Sequence, residues 1–186
     1  MKMQRNESGV TLVELLITLS IASILIAVAT PSLTTVVKDS RLRVGANALQ
    51  NSFALARSTA VSRSAFVTVC KSTNGTECIE TGDWSQGWII YEGTINDDPV
   101  QGSDDERIRV NRALNDQITF RGGSGLANYV SFDGAGFTRD TNGNYQSGIF
   151  LICDDRGDSG RSRIVFLAAA GSSRVGDPPS TSSCDG

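Results

Sequence analysis

A single carboxylate interrupts the most apolar part of this 186-residue sequence. Glu14 lies near the start of residues 10–29, which contain no other charged side chain. As a helix these residues would extend about 30 Å, the hydrocarbon thickness of a bilayer. Because a carboxylate in lipid costs about 2 kcal/mol or more unless it is compensated, Glu14 is the first candidate for a functional residue.

Four cysteines form the second group of reactive side chains, and they allow three pairings: Cys70, Cys78, Cys153 and Cys184. Their even number fits an oxidising compartment. We favour Cys70 with Cys78, which closes a short loop, and Cys153 with Cys184, which pins the tail to a strand. The alternative is that some of them are free and buried.

Asp140, Asn142 and Asn144 begin like a calcium loop, in which alternating oxygen ligands converge on one ion. The pattern fails at the positions that require glycine and a bidentate glutamate, which are Tyr145 and Leu151. We therefore predict a solvated β-turn and no metal site. The acidic stretch 96–106 is interpreted as an exposed loop that keeps a sheet edge soluble.

The absence of histidine excludes Ser-His-Asp and Cys-His catalysis and histidine-containing zinc sites. No nucleophile, base and orienting group can be combined, so we predict no enzyme activity and no cofactor. The formal charge of −3 exerts no general attraction on nucleic acid. Local contacts remain open, because four arginines lie close together near the C-terminus: Arg156, Arg161, Arg163 and Arg174.

The N-terminal segment has two interpretations. Lys2 and Arg5 precede the apolar run, which predicts that the start stays in the cytoplasm and that the remainder faces outward. An ordinary secretory signal has the same features, with cleavage at Ala27-Val28-Ala29 and a soluble product that begins at Thr30.

The elements that follow are a helix and then short strands. Apolar or small residues at helical spacing predict one helix from about residue 10 to about residue 62, bent at Pro31: Leu42, Gly45, Leu49, Phe53, Ala56 and Ala60. Alternating or β-branched runs predict strands at 65–70, 87–91, 117–121, 129–132, 149–153 and 164–167.

The residues from Gly9 to Leu16 resemble the cleavage region of type IV prepilins and type II secretion pseudopilins. The resemblance implies that a prepilin peptidase cuts after Gly9 and that Val10 becomes a methylated N-terminus, although phenylalanine or methionine is usual there. Glu14 and Pro31 then fall where the family has its acidic residue and its kinking proline. The family assigns Glu14 a role in assembly, as a partner for the N-terminal amine of a neighbouring subunit.

Four further stretches resemble the minor pilins that share a domain with the secretion pseudopilin GspH, a group that includes FimU and FimT: "LQNSFALARSTAVSRSAFVTVCKS", "WSQGWIIYEG", "SFDGAGF" and "IFLICDDRG". This resemblance implies an α+β, type IV pilin-like fold, with a long N-terminal helix packed on an antiparallel β-sheet head. Trp84 and Trp88 are then packing residues. The expected organisation is a leader at 1–9, a transmembrane helix at 10–30, an amphipathic extension at 31–63 and a β-rich head at 64–186.

Some FimT proteins bind DNA through a C-terminal Gly-Arg-x-Arg motif, and Gly160-Arg161-Ser162-Arg163 has that form. In FimT the motif follows the last strand, a place that corresponds here to residues 171–174, where only Arg174 remains. The nearby carboxylates of Asp154, Asp155 and Asp158 would offset the arginine charges within about 10 Å. DNA contact by Arg161, Arg163 and Arg174 is therefore an open but less favoured alternative.

The resemblance predicts a minor pilin for type IV pilus assembly, within a priming or tip complex. The alternative is a secretion pseudopilin, and the second alternative is a DNA-binding minor pilin. The implied location is the inner membrane, with a single span and a periplasmic head that is built into a pilus or pseudopilus. The implied partners are other minor and major pilins or pseudopilins, the inner-membrane assembly platform, the prepilin peptidase and membrane lipid.

Overall fold

A computed structural model describes residues 9–95, 107–114, 117–157, 159–179 and 182–184, and the side chains of all of these except 27–32 and 159. The chain forms one long helix and eight strands: α1 (Leu12–Arg63), β1 (Val67–Lys71), β2 (Gly87–Glu92), β3 (Arg107–Arg112), β4 (Ile118–Gly122), β5 (Tyr129–Phe132), β6 (Gly148–Asp154), β7 (Arg163–Leu167) and β8 (Ser173–Gly176). It divides into two units, Met1–Asp39 and Ser40–Gly186.

The helix α1 confirms the predicted apolar stripe. All six stripe positions from Leu42 to Ala60 are buried, together with Ala46 and Ser52. The helix begins two residues later and ends one residue later than predicted. It continues through residue 31, but the predicted bend depends on the side chain of Pro31, which lies outside the described residues.

The head contains two antiparallel sheets of four strands each. The first has the order β3-β2-β1-β5, and the second has the order β4-β6-β7-β8. All six predicted strands are present with small shifts at their ends. The strands β3 and β8 were not predicted, and both lie at a sheet edge.

One aromatic cluster joins the helix to both sheets. The ring of Phe53 on α1 lies 6.3 Å from that of Phe132 on β5 and 5.2 Å from that of Phe150 on β6. Trp84, in a short 3-10 turn (Trp84–Gln86), contacts Phe53 and Phe150 at near-perpendicular ring angles. Such edge-to-face pairs add to the burial of apolar area.

Both tryptophans are packing residues, as predicted. Trp84 and Trp88 are almost completely buried. The indole of Trp88 donates to Oγ of Ser52 at 2.8 Å, and that of Trp84 donates to the carbonyl oxygen of Leu126. Each buried indole N–H therefore has an acceptor, which burial of this polar group requires.

The loop between β1 and β2 covers the outer face of the first sheet. A Cys70–Cys78 disulfide closes this loop, and Lys71 is buried beneath it. The Lys71 ammonium donates to the carbonyl oxygens of Glu80 and Gly82 at 2.8 and 3.0 Å. Burial lowers the pKa of Lys71, and the carboxylates of Asp83 and Glu80 oppose that shift.

The second disulfide joins Cys153 on β6 to Cys184. The two cysteines are 31 residues apart in sequence. The bond therefore holds a distant part of the chain, at residue 184, against the second sheet. Both pairs are those favoured from the sequence. By closing loops, the two bonds reduce the conformational entropy of the unfolded chain.

Candidate assembly site and head surface

The N-terminal stretch of α1 leaves its apolar side chains uncovered. Every described side chain from residue 10 to residue 26 is exposed. The large apolar ones are 52 to 77% exposed: Val10, Leu12, Val13, Leu15, Leu16, Ile17, Leu19, Ile21, Ile24, Leu25 and Ile26. An apolar surface of this length points to an environment outside this chain, either lipid or other helices.

Polar groups within the apolar run are satisfied by the helix itself. The hydroxyls of Thr18, Ser20 and Ser23 donate to carbonyl oxygens three or four residues earlier, at 2.8 to 2.9 Å. These bonds lower the cost of placing the hydroxyls in an apolar medium. Glu14 is then the one charged side chain along this surface.

Thr11 directly precedes α1 and caps its first turn, which contains Glu14. The Thr11 hydroxyl oxygen accepts a hydrogen bond from the backbone N–H of Glu14 at 3.3 Å. Thr-x-x-Glu is the sequence pattern of a capping box, and an acidic residue in the first turn interacts favourably with the helix dipole. The sequence analysis missed Thr11, although this pattern identifies it.

Within the part of the chain that the structure describes, no helix combines the length and hydropathy of a membrane span. The predicted span at 10–30 includes residues 27–30, whose side chains are not among those described.

Asp140 forms a turn, as its sequence context predicts. One carboxylate oxygen accepts from the backbone N–H groups of Asn142 and Asn144 at 2.9 and 2.7 Å. The other accepts from the Asn144 side chain, and this hydrogen bond is the main reason why the pKa of Asp140 is lowered. The carboxylate therefore stabilises a local turn. The acidic stretch 96–106 lies outside the described residues.

The arginines of the proposed DNA motif do not form one surface. Arg163 lies on the same side of β7 as the buried Val165, and its guanidinium pairs with Asp177 at 2.6 Å. Arg174 pairs with Phe166 across the ladder, on the opposite side of the sheet, and its guanidinium lies 5.1 Å from that ring. Arg161 ends a separate 3-10 turn (Ser159–Arg161).

The placement of Arg174 also corrects the sequence interpretation. Residues 171–174 were expected after the last strand, but Arg174 lies within β8. The fourth arginine of this part of the sequence, Arg156, forms an ion pair with Asp154 at 2.5 Å. DNA contact by Arg161, Arg163 and Arg174 stays a prediction that these contacts do not favour.

An α+β head on a long helix with an uncovered apolar start defines a pilin-like subunit. The chain belongs to the family described as Type II transport protein GspH, which matches residues 45–171 and therefore more than half of the chain. A second family, the prokaryotic N-terminal methylation motif, matches residues 4–30. The predicted resemblance to pilin-like proteins with a GspH domain is confirmed.

Two crystal structures of the type IV minor pilin FimU from Pseudomonas aeruginosa have a similar fold. Their TM-scores are 0.55 and 0.51, each at 20% sequence identity. The alignments cover 80 and 77% of this chain and 96 and 97% of the FimU chains. The predicted pilin-like fold is thus confirmed. No curated protein matches the chain.

Proposed function

We propose that this chain is a minor pilin, a structural subunit that is built into a type IV pilus near its tip. The observation that carries the proposal is the uncovered apolar start of α1, with Thr11 and Glu14 in its first turn. A head of the GspH family follows this helix, and the same fold occurs in a type IV minor pilin. The proposed role is assembly, without catalysis and without a cofactor.

The proposed location follows from the same helix. Its apolar side chains anchor the subunit in the inner membrane as a single span, and the head lies in the periplasm, where the two disulfides are stable. During assembly the helix leaves lipid for a bundle of other pilin helices. The assembly platform and other minor and major pilins are its partners in that step.

Glu14 makes the exchange from lipid to filament favourable. In the filament its carboxylate pairs with the N-terminal amine of a neighbouring subunit in a low-dielectric bundle, where an ion pair is much stronger than in water. The pair also fixes the axial register between subunits. The free-energy cost of the Glu14 carboxylate in lipid is therefore offset only in the filament, where the ion pair forms.

Processing at Gly9 supplies the amine for that pair. Gly9 and Val10 are exposed, and among the described residues other than its chain neighbours no atom lies within 4 Å of the position of a Cβ on Gly9. We expect the mature protein to begin at Val10, with one added methyl group on its amine. Intact-mass measurement of protein purified from membranes checks this result, and a chain that begins at Thr30 contradicts it.

A role as a secretion pseudopilin is the second candidate, since the family description refers to type II transport. The same anchor, processing and ion pair serve both filaments. We expect deletion of the gene to reduce the number of surface pili and to leave type II secretion unchanged. Electron microscopy of the cells and the activity of a secreted enzyme in the medium measure the two effects. Loss of secretion with normal pili would assign the chain to the secretion system.

A further inference from the structure

The outer face of the second sheet lacks the polar character that its position predicts. When one face of an antiparallel sheet covers the core, the side chains on its other face are usually polar. The two central strands instead read Gly-Ile-Phe-Leu-Ile-Cys-Asp in β6 and Arg-Ile-Val-Phe-Leu in β7. Such continuous apolar runs are typical of strands that are covered on both faces.

Side-chain alternation separates the two faces of these strands. Phe150 and Ile152 on β6 and Val165 on β7 belong to the buried core. The residues between and beside them lie on the opposite face, because side chains alternate along a strand. Four of these are half-buried apolar residues, which we call the apolar centre: Ile149, Leu151, Ile164 and Phe166. In the described part of the chain, none of the four packs against the core clusters.

The strand register makes the four side chains of the apolar centre neighbours. Leu151 pairs with Ile164, and Ile149 pairs with Phe166. The two pairs are two residues apart along the strands, so they lie about 7 Å apart on the same face. At one end of the face, the disulfide of Cys153 bounds the apolar centre.

An arginine flanks the apolar centre on each side. Arg121 on β4 pairs with Leu151, and Arg174 on β8 pairs with Phe166. Because paired residues share a face, both arginine side chains border the same surface. Both are exposed, and neither forms an ion pair with a described carboxylate. Three strand spacings separate β4 from β8, so the two backbones are about 14 Å apart.

Glycine occupies the other two corners of this surface. On β8, Gly176 pairs with Ile164. Just after β4, the backbone N–H of Gly123 donates to the carbonyl oxygen of Ile149 at 3.0 Å. Neither corner adds a side chain that could cover the apolar centre. The flanking charge therefore comes from the arginines at the two opposite corners.

These features fit an amphipathic helix. A helix packs its apolar stripe on the face of a sheet, whereas an added strand needs a sheet edge. With its side chains, a helix is about 10 to 12 Å wide. It therefore fits between the two arginines, whose strands are about 14 Å apart. Carboxylates on both flanks of its apolar stripe would each meet one arginine.

A second copy of this chain does not provide such a helix. The long helix α1 contains only two acidic residues, Glu14 and Asp39. Its second half carries five basic side chains: Lys38, Arg41, Arg43, Arg57 and Arg63. Like charges would meet at the two flanking arginines, which disfavours this contact. The complementary helix therefore belongs to a different protein.

We propose that the outer face of the second sheet binds an acidic amphipathic helix of a different protein. The apolar centre receives the apolar stripe of that helix, and Arg121 and Arg174 pair with carboxylates on its two flanks. This interaction is separate from filament assembly through α1. It does not depend on whether the chain belongs to a pilus or to a secretion filament.

Two synthetic helices test the preference on the full chain in phosphatidylcholine nanodiscs. Each is about 14 residues, or about 21 Å, long, with leucine on one face and a side-chain staple on the opposite face. The probe carries glutamate on both flanks of the leucine face, and the matched helix carries lysine. Fluorescence anisotropy measures binding above that to empty nanodiscs. A photo-crosslinker beside the leucines locates the contact.

We expect the glutamate helix to bind about tenfold or more tightly than the lysine helix and to crosslink to β6 or β7. The double variant Arg121→Glu with Arg174→Glu should reverse this preference, because both flanking charges are reversed. The control variant Arg43→Glu with Arg109→Glu changes the net charge equally, at exposed positions on α1 and β3. Its affinity should stay within about twofold of wild type. The fluorescence of the buried tryptophans verifies that each variant is folded.

Three results would overturn the proposal. The first is equal binding of the two helices to the wild-type chain, and the second is an unchanged preference in the folded Arg121→Glu, Arg174→Glu variant. The third is a crosslink confined to residues outside the second sheet. Phosphatidylglycerol vesicles provide a further arm. If they bind through both arginines and the glutamate helix does not bind, the face is a lipid-binding surface and the proposal is wrong.

Discussion

Replacement of Glu14 by alanine should leave membrane insertion intact and remove the protein from filaments. The variant no longer carries a carboxylate that costs about 2 kcal/mol or more in lipid, so insertion is unchanged or improved. If Glu14 pairs as proposed, the variant leaves a neighbouring amine buried in the filament without its partner, which costs about 3 to 5 kcal/mol. We therefore expect incorporation to fall by about a hundredfold or more. Immunoblots of membrane and sheared-filament fractions measure both quantities.

Two other substitutions separate the charge of Glu14 from its place in the helix start. Glu14→Gln keeps the shape and loses the charge, so it should behave like the alanine variant. Thr11→Ala removes the hydroxyl that accepts from the Glu14 backbone, at a cost of about 1 kcal/mol, and keeps the charge. Equal losses in Thr11→Ala and Glu14→Ala would show that helix capping, and not charge pairing, controls assembly.

The buried face of α1 could be predicted because the apolar residues of a helix recur at helical spacing on the face that is buried. The spacing of Leu49, Phe53, Ala56 and Ala60 indicates which side of the helix faces the head, and all four are buried. The Thr-x-x-Glu cap was equally local and was missed only because Thr11 lies beside a stronger signal. The start of α1 and its buried face are therefore largely readable from sequence.

The edge strands could not be recognised in the same way. In β3 polar and apolar residues alternate from Arg107 to Asn111, but Val110 is exposed, so the alternation does not mark one buried face. In β8, four residues with serine and glycine at the two ends carry almost no strand signal. An edge strand is specified mainly by the neighbour on its one paired side, and that neighbour lies elsewhere in the sequence.

The arginine motif shows the opposite error, in which sequence proximity suggests a surface that the fold does not make. Arg163 and Arg174 lie on opposite sides of the second sheet, because side chains alternate along each strand. Their contacts with Asp177 and Phe166 depend on the pairing of β7 with β8.

Local sequence patterns also could not predict that the head contains two sheets. Strand β5 pairs with β1, and β4 pairs with β6, so consecutive strands belong to different sheets. What holds the sheets together is a set of aromatic rings that are distant in sequence. Phe53, Phe132 and Phe150 come from the helix and from each of the two sheets. Phe53 is therefore a core position at which truncation should be costly.

Phe53→Ala should destabilise the head by about 3 to 5 kcal/mol, the usual cost of truncating a buried phenylalanine. The ring is completely buried, and its loss removes contacts with Trp84, Phe132 and Phe150 at once. Because domains of this size are stable by only about 5 to 15 kcal/mol, the variant should lose a large fraction of its stability. Both tryptophans of the chain are buried in the head, so their fluorescence reports its unfolding in guanidinium.

Phe137→Ala is the matched control, since it makes the same substitution on the same unit. The Phe137 side chain is 39% exposed and contacts the ring of Tyr145 on an outer hairpin. We expect its cost to stay within about 1 kcal/mol, because little buried area is lost. If the two variants unfold at the same guanidinium concentration, the helix and the two sheets do not meet at Phe53. If Phe53→Ala alone shifts the transition, the aromatic cluster is the joint between α1 and both sheets.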